Sequence, residues 1–270
     1  MYKGFRLLTH FLFFLAAILA GAINSLAGGG GPITFPLLAL VIPPVAADAT
    51  SSVALVLAYP AAMWRTRQEI AAVPRRLTLL LLVPSVLGGL AGALLLVYTN
   101  ERNFTSFVPW LILGGTVLFV LEPRLSRRRR SRSPSPRSVP TKLLPLAMAI
   151  TFAVAIYGGY FGAGIGILMI SALGLLGVGD VDRVVPLKNL LTGFLRGVAV
   201  MVLIIEGVIN WSYGVPMVLG GLLGGYVGGM ISGRADRRFL RALVIVIGFG
   251  VAAYYFWNVY AAPISRIGGE

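Results

Sequence analysis

Lys188, Thr192 and Arg196 stand in one long apolar stretch, 184–205, where charge is out of place. At about 100° per residue they fall at roughly 0°, 40° and 80°, on one face of a helix, with Asn189 beside them. A cation at membrane depth costs about 2.5–3.5 kcal/mol on insertion scales unless water or a partner compensates it. Acidic partners are few: Asp48, Asp180, Asp182 and Glu206 all sit near the ends of apolar segments. A positive face poor in partners suits an anion. The structural alternative places Lys188 at the cytoplasmic boundary and lets Arg196 cap helix carbonyls.

Two glycine clusters supply a second kind of chemistry. Asn24-Ser25-Leu26-Ala27-Gly28-Gly29-Gly30-Gly31 and Gly159-Tyr160-Phe161-Gly162-Ala163-Gly164-Ile165-Gly166 each interrupt an apolar run. Such breaks leave amides and carbonyls unpaired, which hydrocarbon does not tolerate, so they belong in buried protein or along a watery cavity. The helix that restarts after each break aims its free N–H groups at that spot. Two facing ends form an anion site without charged side chains, and Asn24 offers an amide beside the first. By contrast, Gly88, Gly89, Gly220 and Gly224 read as small residues that let helices pack closely. Ala47-Asp48-Ala49-Thr50-Ser51-Ser52 is the first-half counterpart of the Lys188-Asn189 region. It offers hydroxyls, Thr50 and Ser51 among them, that either bind oxyanions or bond within helices.

The elements that position these residues follow from composition. The chain is 57% apolar and 12% charged over 270 residues, with a mean hydropathy of +0.88. Soluble domains are about 45–50% apolar and about 25% charged, so this is an integral membrane protein. Ten apolar stretches cover 7–27, 31–42, 47–64, 77–98, 106–121, 143–160, 165–178, 184–205, 213–232 and 239–258, too long for barrel strands. The first reads as a membrane segment and not as a cleaved leader, because hydrophobicity continues into the glycine run.

The net charge of +14 is not a nucleic-acid footprint. Of 23 Lys and Arg, eight lie between Arg124 and Lys142, four between Arg65 and Arg76, and four between Arg234 and Arg241. Charge confined to loops is the positive-inside pattern of a polytopic protein, so the partners expected are the bilayer and a small anion, not nucleic acid. The Arg/Ser/Pro segment reads as a solvated cytoplasmic linker. With no cysteine and one histidine, His10, neither thiol chemistry nor a His/Cys metal centre is available, and no cofactor is expected.

The linker, 123–142, divides the chain into repeats at 1–122 and 143–270. The glycine clusters match between them, as do Gly88-Gly89-Leu90-Ala91-Gly92 and Gly220-Gly221-Leu222-Leu223-Gly224-Gly225. The basic loop shifts by one position between halves, which predicts opposite orientations. The fold class expected is an all-α polytopic membrane protein of two homologous halves, arranged as inverted repeats. Each half carries a glycine-broken re-entrant or hairpin segment. That orientation leaves Lys3 and Arg6 outside the cytoplasm, against the rule.

Gly21-Ala22-Ile23-Asn24-Ser25-Leu26-Ala27-Gly28-Gly29-Gly30-Gly31, followed by Pro36-Leu37-Leu38 and Thr50-Ser51-Ser52, resembles the sulfite exporter TauE/SafE family of membrane permeases. The second-half cluster and Lys188-Asn189 fit the family's repeated motif, and the resemblance covers nearly the whole chain. It implies a transporter of small sulfur-containing anions, sulfite or organosulfonates, moved outward across a bacterial or archaeal inner membrane. The family's first-half helix usually reads Thr-Asn-Lys. Here Thr50-Ser51-Ser52 carries neither amide nor cation.

The substrate-binding residues expected are therefore Asn24, Gly28, Gly29, Gly30, Gly31, Thr50, Ser51, Gly162, Gly164, Gly166, Lys188, Asn189, Thr192 and Arg196. A membrane-embedded enzyme would need a nucleophile, a metal set or paired carboxylates at depth, and the sequence offers none. A carrier of another carboxylate or an amino acid, and a non-transporting scaffold, remain as alternatives. Coupling stays open: Asp48 is the one moderate candidate for a proton carrier, at the extracytoplasmic edge, and facilitated diffusion is equally compatible. So does self-association into a homo-oligomer.

Overall fold

The computed structural model describes residues 2–27, 30–65, 67–130, 144–175, 181–231 and 237–261, and every element among them is helical. In the first half these are α1 (Tyr2–Ala27), α2 (Gly31–Leu38), α3 (Pro44–Val56), α4 (Ala58–Arg65), α5 (Arg67–Ala71), α6 (Arg75–Tyr98) and α7 (Glu101–Arg130). The second half has α8 (Leu144–Tyr160), α9 (Ile165–Leu175), α10 (Val181–Ile205), α11 (Trp211–Ile231) and α12 (Arg237–Phe256), the last ending in a π-helical turn at Trp257–Ala261.

The ten apolar stretches each find a helix, with two differences. The stretch 47–64 is split at Leu57 into α3 and α4. Pro60 has no N–H to offer the carbonyl four residues back, that of Val56, so the first helix ends there. Pro60 then falls in the first turn of α4, where a missing donor is harmless. The second difference lies at the linker: α7 continues through Arg127–Arg130, so part of the arginine run is helical. Residues 131–143 lie outside the described residues.

Polarity is distributed as hydrocarbon requires. Leu79, Val83 and Leu87 on α6, and Leu219, Leu223 and Val227 on α11, form exposed stripes at four-residue spacing. Inside, Thr34, Asp48, Thr50, Ser51, Ser52, Thr192 and Arg196 are buried. A water-soluble fold arranges these classes the other way round. Among the described residues, Arg75–Tyr98 and Val184–Ile205 are long and apolar enough to cross a bilayer, and Leu8–Asn24, Leu144–Tyr160 and Ile245–Tyr260 are shorter apolar helices.

The halves exchange partners. α1 packs along α11, and α8 along α6; α3 meets α11, and α10 meets α6; α2 meets α12, and α9 meets α7. Glycines set the register of these contacts. A Cβ added at Gly220 or Gly224 would fall on the carbonyls of Phe14 and Ile18, and one at Gly88 or Gly92 on those of Phe152 and Ile156. Likewise Gly221 presses on the Ala54 carbonyl, and Gly89 on that of Leu195. Close-packing is therefore the role of all four glycines so read from sequence. Ala54 answers Leu195, and six residues back along each helix Asp48 answers Asn189. Gly21 and Gly159 also play matching parts, on the carbonyls of Gly221 and Gly89. That register sets Gly159 against Gly21, three residues from Asn24, with which the glycine clusters alone would align it.

Candidate anion-binding site

The site is built around the end of α8. Phe161 and Gly162 both donate their N–H groups to the Tyr157 carbonyl, at 3.0 and 3.2 Å. Gly162 thereby abandons the carbonyl of Gly158, which is left as an orphan of the helix terminus. Arg196 of α10 fills that vacancy: its Nη1 donates to the Gly158 carbonyl oxygen at 2.7 Å. A cation at a helix C-terminus also meets the negative end of the dipole. The chain then reverses through Gly162 and Gly164, at φ of +73° and +75°. A side chain at Gly162 would collide with the Arg196 guanidinium, so glycine is required there twice over, for its backbone and for space.

The other arm of the guanidinium reaches the first half. Nη2 of Arg196 donates to Oγ of Ser52 on α3 at 2.9 Å. Arg196 is 6% exposed, and two of its five N–H donors are accounted for by these bonds. Asp48 lies one turn before Ser52 on the same face of α3, buried at 2% exposure, and interacts electrostatically with Arg196. Tyr157, whose hydroxyl donates to the Ala163 carbonyl at 2.8 Å, senses both charges.

The glycine clusters approach one another at this level. A Cβ added at Gly31 would lie 3.5 Å from Cα of Ala163. Ala163 and Gly164, in the break itself, donate their amides to no backbone carbonyl among the described residues. Gly166 follows in the first turn of α9 and is buried. Gly30 is held against the Ala20 carbonyl and beside Asn24, which is part-buried and, among the described residues, has no hydrogen bond to Arg196. Gly28 and Gly29 lie outside the described residues.

The cationic face of α10 is real, but its members do different things. Lys188, Asn189, Thr192 and Arg196 are all buried. Thr192 turns its hydroxyl back onto the Lys188 carbonyl at 2.6 Å and is spent within the helix. Among the described residues, neither the Lys188 ammonium nor the Asn189 amide has a side-chain hydrogen bond. Lys188 stands two turns, roughly 12 Å, from Arg196 along the axis. Thr50 and Ser51 also bond across the fold: Thr50 Oγ1 accepts from the Asn210 N–H at 3.0 Å, and the Ser51 and Thr34 hydroxyls are hydrogen-bonded at 2.5 Å.

Sequence reasoning named Ser52 among the hydroxyls of its stretch but not among the binding residues, did not single out Gly158, and set Asp48 at a segment edge. Asp48 is instead among the most buried polar residues, because the break between α2 and α3 carries the start of α3 into the core between Ala47 and Ala49. The four-residue spacing of Asp48 and Ser52 was the available signal.

The family model described as "Sulfite exporter TauE/SafE" matches residues 13–255. "Probable membrane transporter protein YfcA" of Escherichia coli (strain K12) is 26% identical over 260 residues, covering 96% of this chain and 93% of its own length. "Probable membrane transporter protein" of Haemophilus influenzae (strain ATCC 51907 / DSM 11121 / KW20 / Rd) is 27% identical over 246 residues, 90% of this chain and 92% of its own. "Probable membrane transporter protein ORF9" of Sinorhizobium sp is 28% identical over 242 residues, 88% and 89% of the two chains. No solved structure matches the chain. With its helical architecture, lipid-ready exterior and full-length match, the chain belongs to the sulfite exporter TauE/SafE family of membrane transporters.

Proposed function

We propose that this protein is a secondary transporter that exports a small sulfur-containing anion, sulfite or an organosulfonate, across a bacterial or archaeal inner membrane. The observation that carries the reading is Arg196. Its guanidinium is buried, uses two N–H groups to join α8 and α3, and keeps donors for a ligand. An oxyanion binds there by charge-assisted hydrogen bonds. The amides of Ala163 and Gly164 assist from the broken segment, and Lys188 raises the potential along the approach. Gly31, whose added Cβ would lie 3.5 Å from Cα of Ala163, brings the first-half cluster up to the same break.

The same reading takes the halves as inverted repeats. The exchange of helix partners supports this, as does the shift of the basic loop from 65–76 to 233–241. Residues of both halves meet at Arg196, so rocking one half against the other opens and closes the site by alternating access.

The test is flux into proteoliposomes of sulfite, sulfoacetate, sulfate and an amino acid, with Arg196→Gln in parallel. Saturable sulfite or sulfonate flux that the substitution abolishes is the expected result. Amino-acid flux in its place would move the substrate to a carboxylate. An Arg196→Gln protein as active as the parent would reduce the arginine to a helix cap.

A further inference from the structure

Placing the anion at Arg196 leaves a neighbouring group without a role. Asp48 is 2% exposed, and its Oδ2 has no hydrogen-bond partner. Asp48 and Ser52 share a face of α3, one turn or about 5–6 Å apart. Ser52 is bonded to the guanidinium, whereas Oδ2 of Asp48 is not. A buried carboxylate that feels an arginine's charge while one of its oxygens stays unbonded is an expensive arrangement for a purely structural pair.

The surroundings narrow the possibilities. α2 has no titratable side chain. α10 brings Arg196 and Lys188. Glu101 of α7 is engaged elsewhere, accepting from the Val45 N–H at 3.1 Å, and Arg102 is exposed. His10 of α1 and Tyr213 of α11 stack on each other, Tyr226 of α11 is exposed, and α4 carries Tyr59. Tyr157 and Tyr160 of α8 sense the Asp48 charge. Among the described residues, Asp48 is thus the buried carboxylate that interacts with Arg196. The position that answers it in the second half, Asn189, is a neutral amide of the same shape.

From this geometry, and resting on the anion-site reading above, we infer that Asp48 is the proton-carrying group of the transport cycle: an anion bound beside Arg196 enters together with one proton taken up by Asp48. Two negative charges cannot share one guanidinium in a low-dielectric site without strong repulsion. The proton comes from the aqueous solution, an O–H bond forms at a carboxylate oxygen as the anion binds, and that bond breaks when both are released. Neutral Asp48 then occupies its place as Asn189 does in the other half. Each cycle moves one negative charge fewer than the anion carries, so export driven by the anion's own gradient takes a proton out with it, and an inward proton gradient opposes that direction.

The measurement is calorimetric titration of the purified full-length protein with sulfoacetate, which keeps its charge between about pH 6 and 8, in buffers of different ionisation enthalpy. At a pH where Asp48 is ionised in the empty protein, the expected result is uptake of about one proton per anion. Where Asp48 is ionised in the empty protein, affinity weakens about tenfold per pH unit as pH rises. Asp48→Asn is expected to bind at least as tightly, take up no proton and lose the pH dependence. Asp48→Glu keeps the proton count and guards against a folding effect of the amide. Binding with no proton uptake, or binding that needs sodium instead, overturns the inference and leaves the anion site standing. Absence of sulfoacetate binding, in a protein that also fails to move sulfite, removes the anion site itself and the inference with it.

Discussion

At matching positions of the two halves, α3 presents Asp48, Ser51 and Leu55 where α10 presents Asn189, Thr192 and Arg196. The backbone frames are alike: each helix takes a glycine of the facing helix against its own carbonyl, Gly221 on Ala54 and Gly89 on Leu195. The side chains have diverged. α10 carries the cation and a neutral amide, whereas α3 carries the carboxylate and an apolar residue. The glycine contacts match between the halves, and the proposed site draws on the asymmetry within that shared frame. A strictly symmetric pair would bring two arginines together, or none.

Among substitutions that leave the net charge unchanged, the largest effect is expected from changing the cation itself. Arg196→Lys retains a positive group, but one ammonium cannot bridge the Gly158 carbonyl and Ser52 Oγ and still present a planar fork to an oxyanion. Hydrogen bonds to charged groups are worth about 1.5–3 kcal/mol each. Sulfite flux in proteoliposomes should therefore fall by roughly ten- to a hundredfold. Full activity in the lysine protein would mean that a point charge is sufficient, and that the two anchoring bonds shown by Arg196 are incidental to transport.

A smaller effect, on stability and not on chemistry, tests whether the two frames are equivalent. Gly92→Ala and Gly224→Ala each place a methyl group on a helix carbonyl, that of Ile156 or of Ile18. The obstacle is backbone and cannot rotate away. Each substitution should cost at least about 1–3 kcal/mol, read as a lower midpoint of thermal unfolding in detergent. Similar losses at the two sites support the equivalence of the α6–α8 and α11–α1 contacts. A loss at one site alone would break it.

Much of this was legible in the residues. The helices were, because apolar runs bounded by proline, glycine and charge leave few other structures in hydrocarbon. The packing glycines were also legible from their duplication, and the cationic face of α10 from its four-residue spacing. What stayed hidden depends on how separate segments meet. The carbonyl that Arg196 caps is orphaned only because Gly162 bonds one residue further back, to Tyr157. Asp48 looked peripheral because it opens a short helix, and nothing local says that α3 starts inside the core. Thr50 and Ser51 read as ligands from their hydroxyls, and nothing local showed that those hydroxyls also bond Asn210 and Thr34, partners far away in sequence.

The smallest effect separates two adjacent glycines whose types and helix are the same. A Cβ at Gly114 of α7 meets nothing within 4 Å, whereas one at Gly115 would lie 3.3 Å from the Ala163 carbonyl oxygen and 3.4 Å from the Tyr157 hydroxyl. In α12, Gly250 is likewise open, while a methyl at Gly248 would strike Thr116, whose hydroxyl is already bonded to the Ile112 carbonyl at 2.8 Å. Alanine in an open helical position removes backbone freedom from the unfolded chain and should stabilise by about 0.5–1 kcal/mol. Gly114→Ala and Gly250→Ala are therefore expected to raise the unfolding midpoint slightly and leave flux unchanged. Gly248→Ala should lower it. Gly115→Ala presses on the Tyr157–Ala163 bond that shapes the break beside Arg196, so its signature should be in flux more than in stability. If all four substitutions behave alike, the glycines of α7 and α12 answer to helix propensity alone, and the close approach at Ala163 has no part in holding the site.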